Sequence, residues 1–344
     1  MQSAAQVPRA VSERQIAQQK SLHPYWKWPI AFGLAGVLLY LALRGVEWRR
    51  VGNIVAHCRV GYLMLACGCA TLSYLVRAMR WRILLNAQEK LAYTTVLWAN
   101  SAGYLGNNYL PARAGELVRT GMISSRSRLS KTYVFTTVMT ERVLELVILV
   151  LMASFTSLTL AYRPVWLARL MLFTTVGAIA GIALLLLLPG IDRARRGFIA
   201  RLPLGSKMKD LLHGIAGSVT LALTALRDPL RSLRVCGATA LVWLLDATAA
   251  VILAHALGMQ LIFSVALLLS TGLALGNVLP STPGAIGISQ FAAVTVLMPF
   301  NFTQTDAIAY ILVAQAVGYF VTTVLGLIGL WCYRASAVAE TAVI

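Results

Sequence analysis

Charge is what this sequence has least of. Only 12% of its 344 residues are Asp, Glu, Lys or Arg, against 58% apolar, with a mean hydropathy of +0.74. A soluble domain carries roughly 25% charged residues. The deficit leaves too little charge to cover a water-facing surface, and the same figures exclude a disordered chain. Acidic residues are scarcest, 12 against 30 Lys and Arg. The resulting +18 does not make a nucleic-acid binder, because the basic residues sit mostly between apolar blocks. Cysteine and histidine are also sparse. Cys58, Cys67, Cys69, Cys236 and Cys332 form no CxxC pair, and His23, His57, His213 and His255 show no HExxH spacing. No metal site, cofactor motif or catalytic constellation is expected, so an enzyme is not the expected reading. Repeated β-strand alternation is absent too, which argues against a β-barrel.

What is present is a series of charge-free intervals. Sixteen uncharged residues separate Lys27 from Arg44, 17 separate Arg59 from Arg77, and 22 separate Lys90 from Arg113. A further 22 lie between Arg169 and Asp192, 27 between Asp306 and Arg334, and 59 between Asp246 and Asp306. A spanning helix needs about 20 residues. The 59-residue stretch is too long for one span and is broken by Pro280, Pro283 and several glycines. The fold class is an all-α polytopic membrane protein. The polar start of the chain reads as a basic cytoplasmic tail, residues 1–27, ahead of a retained anchor.

The chain repeats itself at an offset of 169. Residues 67–115 fall on 236–284 without a gap, and 15 of the 49 positions are identical. The densest patch is Asn108-Tyr-Leu-Pro111-x-x-x-Gly115 against Asn277-Val-Leu-Pro280-x-x-x-Gly284. Shared composition explains matched Ala, Leu, Val and Gly; it explains Asn, Leu, Pro and Gly at fixed spacing less well. Paired Gly/Pro interruptions in two halves are the mark of a transporter-like repeat.

Charge orients the repeats. Short loops rich in Lys and Arg stay on the cytoplasmic side. Four such residues lie in the tail and nine in 190–234, so both should be inside. Full crossings at 29–46, 60–77, 91–110, 132–162 and 164–189 would put 190–234 outside. Letting 91–130 dip in and return as a re-entrant hairpin repairs this. The same rule gives a second hairpin over about 262–300, between spans at 233–257 and 305–333. The expectation is about six full transmembrane helices plus two re-entrant hairpins in an inverted internal repeat. The first repeat covers 28–162 and the second 163–333, with an amphipathic cytoplasmic segment over about 190–232 and a cytoplasmic tail at 334–344. This topology puts 23 of the 30 Lys and Arg inside. Arg44, Arg49, Arg50 and Arg59 fall outside, and are expected on a short interfacial helix carrying Trp48.

Polar residues collect where such a protein holds its site. Thr137, Glu141 and Glu145 share a helix face by their spacing of four. Glu141 lies near the middle of its span, roughly 14 Å deep at 1.5 Å per residue. Asp246 is similarly deep in its own span. Intramembrane charge is costly and marks function by default. An internal ion pair that locks helices remains the other reading of Glu141, Arg142 and Glu145, and Asp246 is equally readable as the partner of an arginine on a neighbouring helix. At the hairpin tips, Asn108, Pro111, Asn277, Pro280, Pro283 and Gly284 either simply break helices or open half-helices whose amides face an anion. Arg113 and Glu116 follow the first tip closely enough to reach a cavity, where a guanidinium suits a phosphate. Arg119, Arg126, Arg128 and Lys131 read as a solvated loop.

One series joins these positions. Arg77-Ala-Met-Arg80-Trp81-Arg82 precedes Asn108-Tyr-Leu-Pro111-Ala-Arg113-Ala-Gly115-Glu116-Leu-Val-Arg119. Glu141-Arg142 and Leu279-Pro280-Ser-Thr-Pro283-Gly284-Ala-Ile-Gly287 follow. In order and spacing, over about residues 30–333, the series resembles the lysylphosphatidylglycerol synthase transmembrane family, also called flippase-like. That family includes the flippase half of the multiple peptide resistance factor, and stand-alone relatives linked to polyprenyl-lipid glycosylation and hopanoid pathways. The resemblance implies a bacterial inner-membrane protein, N-terminus cytoplasmic, that translocates an anionic, zwitterionic or aminoacylated phospholipid or a related lipid-linked precursor. Only eleven residues follow 333, so a stand-alone member without an aminoacyltransferase domain is expected. Arg113 and Arg142 would then hold phosphate, and Glu141, Glu145 and Asp246 a cationic group or a coupling proton. The alternative is a non-transporting subunit that binds lipid and supports a partner enzyme or glycosyltransferase. A membrane enzyme acting on a polyprenyl phosphate comes last, since no DxD pair is present.

The topology has a direct check. Single cysteines introduced as Ala112→Cys and Thr282→Cys in a cysteine-free background should be poorly labelled by impermeant reagents, with any labelling from opposite faces. Full labelling of both from one face excludes the model.

Overall fold

The computed structural model describes residues 27–110, 114–158, 169, 172–177, 179–180, 225–276 and 283–341. All regular structure among them is helical. In chain order the principal helices are α1 (Lys27–Leu43), α2 (Trp48–Ala56), α3 (Val60–Leu85), α4 (Tyr93–Tyr109), α5 (Gly115–Ser125), α6 (Lys131–Ser157), α7 (Pro229–Ala256), α8 (Phe263–Gly276), α9 (Ile288–Leu297) and α10 (Gln304–Thr341). Short 3-10 turns precede α7 and flank α9.

Among the described residues, three helices are long and apolar enough to cross a membrane: Val60–Leu85, Pro229–Ala256 and Gln304–Ala335. α1 has 17 residues, and α6 carries Lys131, Glu141, Arg142 and Glu145. The expected span at 164–189 and the amphipathic segment near 190–232 lie largely outside the described residues. α3 runs on to Leu85, beyond the expected end at 77. Arg77, Arg80 and Arg82 are therefore helical rather than loop residues. The chain continues helically because no glycine, proline or capping residue interrupts it before Asn86. α7 has a defined start, where Asp228 accepts from the amides of Leu230 and Arg231 and Pro229 follows it.

α3 and α7 form the central pair and run antiparallel. The Arg59 amide, just before α3, donates to the Ala256 carbonyl at the end of α7 at 2.8 Å. At the other end Leu84 packs with Val235. α4 packs on α10, and α8 on α6. α4 and α5 form one helical hairpin, α8 and α9 another. Three of their four legs, of 11, 14 and 10 residues, are shorter than a span, and the fourth, α4, has 17. α7 starts 169 residues after α3, and α8 starts 170 after α4.

A short helix, as expected around Trp48, is present as α2. It buries Val51, sets Ile54 against the main apolar cluster, and leaves Trp48, Arg49 and Arg50 exposed. It is tied to the start of α10 by Arg50 and Asp306 at 3.1 Å and by the Glu47 amide to Thr305. The Gln304 side chain completes the join by donating to the Ala42 and Arg44 carbonyls at 2.8 and 3.1 Å. These carbonyls end α1 and have no partner within the helix.

The first hairpin closes on a glycine. A methyl group at Gly115 would sit 1.9 Å from the Gly103 carbonyl oxygen and 2.5 Å from the Asn107 nitrogen. Both neighbours are α4 backbone, so neither can yield without moving the leg. Gly115→Ala should therefore lower stability by about 1–3 kcal/mol or more. Gly121→Ala, on the same helix where a methyl group meets nothing within 4 Å, should be neutral or stabilising by up to about 1 kcal/mol. Thermal unfolding of the purified variants in detergent checks the pair.

Candidate functional site

The charges that the sequence spreads over 169 residues come together in the structure. Arg80 on α3, Glu116 and Arg119 on α5, and Glu141, Arg142 and Glu145 on α6 form a closed ring of alternating sign. Arg80 Nη2 lies 2.6 Å from both Glu141 Oε1 and Glu145 Oε1. Arg119 Nη1 donates to Glu141 Oε2 at 2.9 Å, and its Nε to Glu116 Oε2 at 2.6 Å. Arg142 Nη2 returns to Glu116 Oε1 at 2.6 Å, and its Nη1 reaches Glu145 Oε2 at 2.7 Å. Both oxygens of all three glutamates are engaged. Arginine suits such bridging, because its planar guanidinium presents several donors at fixed angles.

Arg77 hangs from the ring and carries it to α7. Its Nη1 donates to Glu145 Oε1 at 2.7 Å and its Nη2 to Asp246 Oδ2 at 2.5 Å. The whole network holds four arginines and four carboxylates and is neutral. Neutral donors and acceptors fill the remaining positions. Asn100 accepts from Arg119, Asn107 donates to Glu116, Thr239 accepts from Arg80, and the Arg119 guanidinium lies 4.7 Å from the Trp81 ring centre. The local sequence explains the convergence. Arg77 and Arg80 are three apart on α3, and Glu141 and Glu145 four apart on α6, so each pair shares a face.

A cavity of about 520 Å³ opens beside the network. Its floor is Arg77, Arg142, Glu145 and Asp246 with Tyr74, Tyr104 and Trp243 around them. Its walls are small and apolar, including Ala66, Ala249, Ala250 and Leu253 from α3 and α7. Leu269, Leu273, Ala314 and Val317 from α8 and α10 complete them. Arg142 and Asp246 remain about a quarter exposed there, at 25% and 26%, whereas Arg80 is fully buried. Polar head at one end and hydrocarbon wall at the other is the pattern of an amphiphile's site.

Not every expected residue belongs to it. Glu116, Glu141, Arg142, Glu145 and Asp246 are brought together. Asn108 instead donates to Thr322 Oγ1 on α10 at 2.6 Å, fixing the first hairpin to that helix. Pro111, Arg113, Asn277 and Pro280 lie outside the described residues. Pro283 and Gly284 form a 3-10 turn, and the half-helix expected to open at Gly284 begins at Ile288. Gly284 has φ +70°, and a methyl group there would fall 1.8 Å from the Tyr319 hydroxyl, which donates to the Gly284 carbonyl. The Gly287 amide is taken by the Gln290 side chain at 2.7 Å, which satisfies one of the donors expected to face an anion. Arg119 departs furthest from expectation. It is buried in the ring, not solvated, because α5 turns it inward against Trp81. Arg77 and Arg80 were not among the expected site residues, since an arginine at the end of a charge-free interval reads as a loop cation.

The model of the lysylphosphatidylglycerol synthase transmembrane region matches residues 28–326. The chain belongs to that family. A search of curated proteins finds no match. The matched region of the lysylphosphatidylglycerol synthase family is its membrane part, so ring and cavity both lie within a membrane domain, and the chain is a multi-pass membrane protein.

Removing one member of a buried ion network strands the others and costs about 3–5 kcal/mol. Arg80→Met should therefore destabilise the protein by that amount in detergent unfolding. Arg80→Lys should recover only part of this, since the single ammonium loses the added contacts of Nε to Glu141 and Nη1 to Thr239.

Proposed function

We propose that this protein translocates a phosphate-bearing membrane lipid, or a related lipid-linked precursor, between bilayer leaflets of the bacterial inner membrane. The observation that carries the reading is the amphipathic cavity. Arg77 and Arg142 offer guanidinium groups to a phosphate, and the alanine-rich wall receives the hydrocarbon next to it. A few hundred Å³ suits a headgroup and its immediate attachment, not two whole acyl chains. The tails then stay in the bilayer while the headgroup crosses through protein, which is the step a bare bilayer opposes most.

The architecture in this reading is an inverted repeat. Hairpins α4–α5 and α8–α9 enter from opposite faces as gates, around six crossings, with the N-terminus cytoplasmic. Three features support it: hairpin legs of which three are too short to span, the antiparallel α3–α7 pair, and the reciprocal packing of α4 on α10 and α8 on α6. Glu141 and Glu145 are structural in this account, because their oxygens are already occupied by arginine. The lipid is the substrate and no cofactor or chemical step takes part.

A second reading is a lipid-binding subunit that supports a lipid-modifying enzyme or glycosyltransferase without moving lipid itself. The closed ring favours it, since it ties α3, α5 and α6 into one block. Co-purification with such an enzyme, and loss of that enzyme's activity on deletion, would mark this case.

Reconstitution separates the two. Liposomes containing the protein should exchange fluorescent phospholipid between leaflets faster than empty liposomes, and Arg142→Ala should cut the rate about tenfold or more. Exchange equal to that of empty liposomes overturns translocation.

A further inference from the structure

The cavity lies where the two halves differ at two positions. At the offset of 169, Arg80 and Trp81 fall on Ala249 and Ala250, while Leu84 falls on an identical Leu253. In the first half these side chains are fully buried and fill the space beside α3. In the second half the two alanines and the leucine line the open cavity beside α7. Volume removed from the second half is the volume a ligand can take.

The same offset pairs Arg77 with Asp246 and Tyr74 with Trp243. These four meet at the cavity floor. Arg77 bonds to its own counterpart at 2.5 Å, and its guanidinium lies 5.9 Å from the Tyr74 ring and 5.5 Å from the Trp243 ring. The ring glutamates each accept from at least two arginines. Asp246 accepts from Arg77 alone, through Oδ2, and a quarter of its side chain faces open space. It is the one carboxylate of the network with an oxygen not engaged by a cation among the described residues.

A ligand phosphate has Arg77 and Arg142 to bind. Drawing Arg77 toward that phosphate weakens its pairing with Asp246 and leaves a carboxylate uncompensated in an apolar surround, a costly state. A ligand that brings its own cation removes the cost. The carboxylate and the Trp243 face are the two groups that recognise an ammonium.

We propose that Asp246 and Trp243 form an ammonium subsite beside the Arg77–Arg142 phosphate site, so that the cavity selects a zwitterionic phosphate–ammonium headgroup over a purely anionic one. The inference rests on the lipid reading of the cavity. It makes Arg77–Asp246 an exchangeable pair: the headgroup replaces one ion pair by two. The sealed ring behind it stays intact throughout.

Binding of phosphatidylethanolamine and phosphatidylglycerol to the purified protein in detergent tests it. The wild type should favour the zwitterionic lipid by about tenfold. Asp246→Asn keeps an acceptor for Arg77 and nearly the same shape; it should bring the two affinities close to equal. Ala250→Leu narrows the cavity without touching charge, and should weaken both lipids while preserving their ratio. Equal or tighter binding of phosphatidylglycerol by the wild type overturns the proposal, as does a preference that survives Asp246→Asn. Binding is measured apart from transport, so the two readings fail separately. Preference without leaflet exchange overturns translocation alone, and exchange without preference overturns the ammonium subsite alone.

Discussion

Six side chains in a ring set the terms for the rest of the molecule. An isolated charge within a membrane domain costs several kcal/mol, and each ring member without its partners would be one. Closure removes that cost in a specific way. Every glutamate oxygen in the ring meets a guanidinium donor and every ring arginine reaches two glutamates, so no charge is left facing hydrocarbon. The same geometry fixes three helices. α3, α5 and α6 cannot slide or rotate relative to one another without opening two contacts at once. Buried ion networks are weak contributors to net stability and strong determinants of which arrangement is adopted. Here that arrangement places Arg142 and Arg77 at the edge of the network, where they reach the cavity.

The cavity then follows from a difference between two stretches whose residues match at an offset of 169. Glycine brings the legs of the first hairpin into backbone contact at Gly115, and this carries Arg119 into the ring. The second half has hairpin legs of similar length but alanine where the first has arginine and tryptophan. One half is filled at these positions, and the other is open. The chain has used equivalent positions for opposite ends, a lock and a vacancy.

Much of this was legible in the sequence, and what was missed has a common cause. Hydropathy and the scarcity of charge gave the helical membrane class. The paired Asn-x-Leu-Pro-x-x-x-Gly patches marked both hairpins, and Trp48 with Arg49 and Arg50 marked the short amphipathic helix. Glu141, Arg142, Glu145 and Asp246 stood out because acids are so few. Arg77, Arg80 and Arg119 did not, because arginine is abundant here and delimits apolar intervals in loops. A buried arginine differs from a loop arginine only by its partners, and those lie on other helices. The signal that distinguishes them is continuity: α3 meets no breaker before Asn86, so Arg80 has to sit within a helix.

The ring also has a position in the order of synthesis. All six members fall between residues 80 and 145, and α6, with its Glu141, Arg142 and Glu145, is not among the helices apolar enough to cross alone. As the chain emerges, Arg80 reaches the membrane first, and its acids arrive about sixty residues later. From then on the first half can neutralise itself without waiting for α7. Asp246 joins a network that is already complete. The late helix is recruited by Arg77, the one arginine of the four that stands outside the ring.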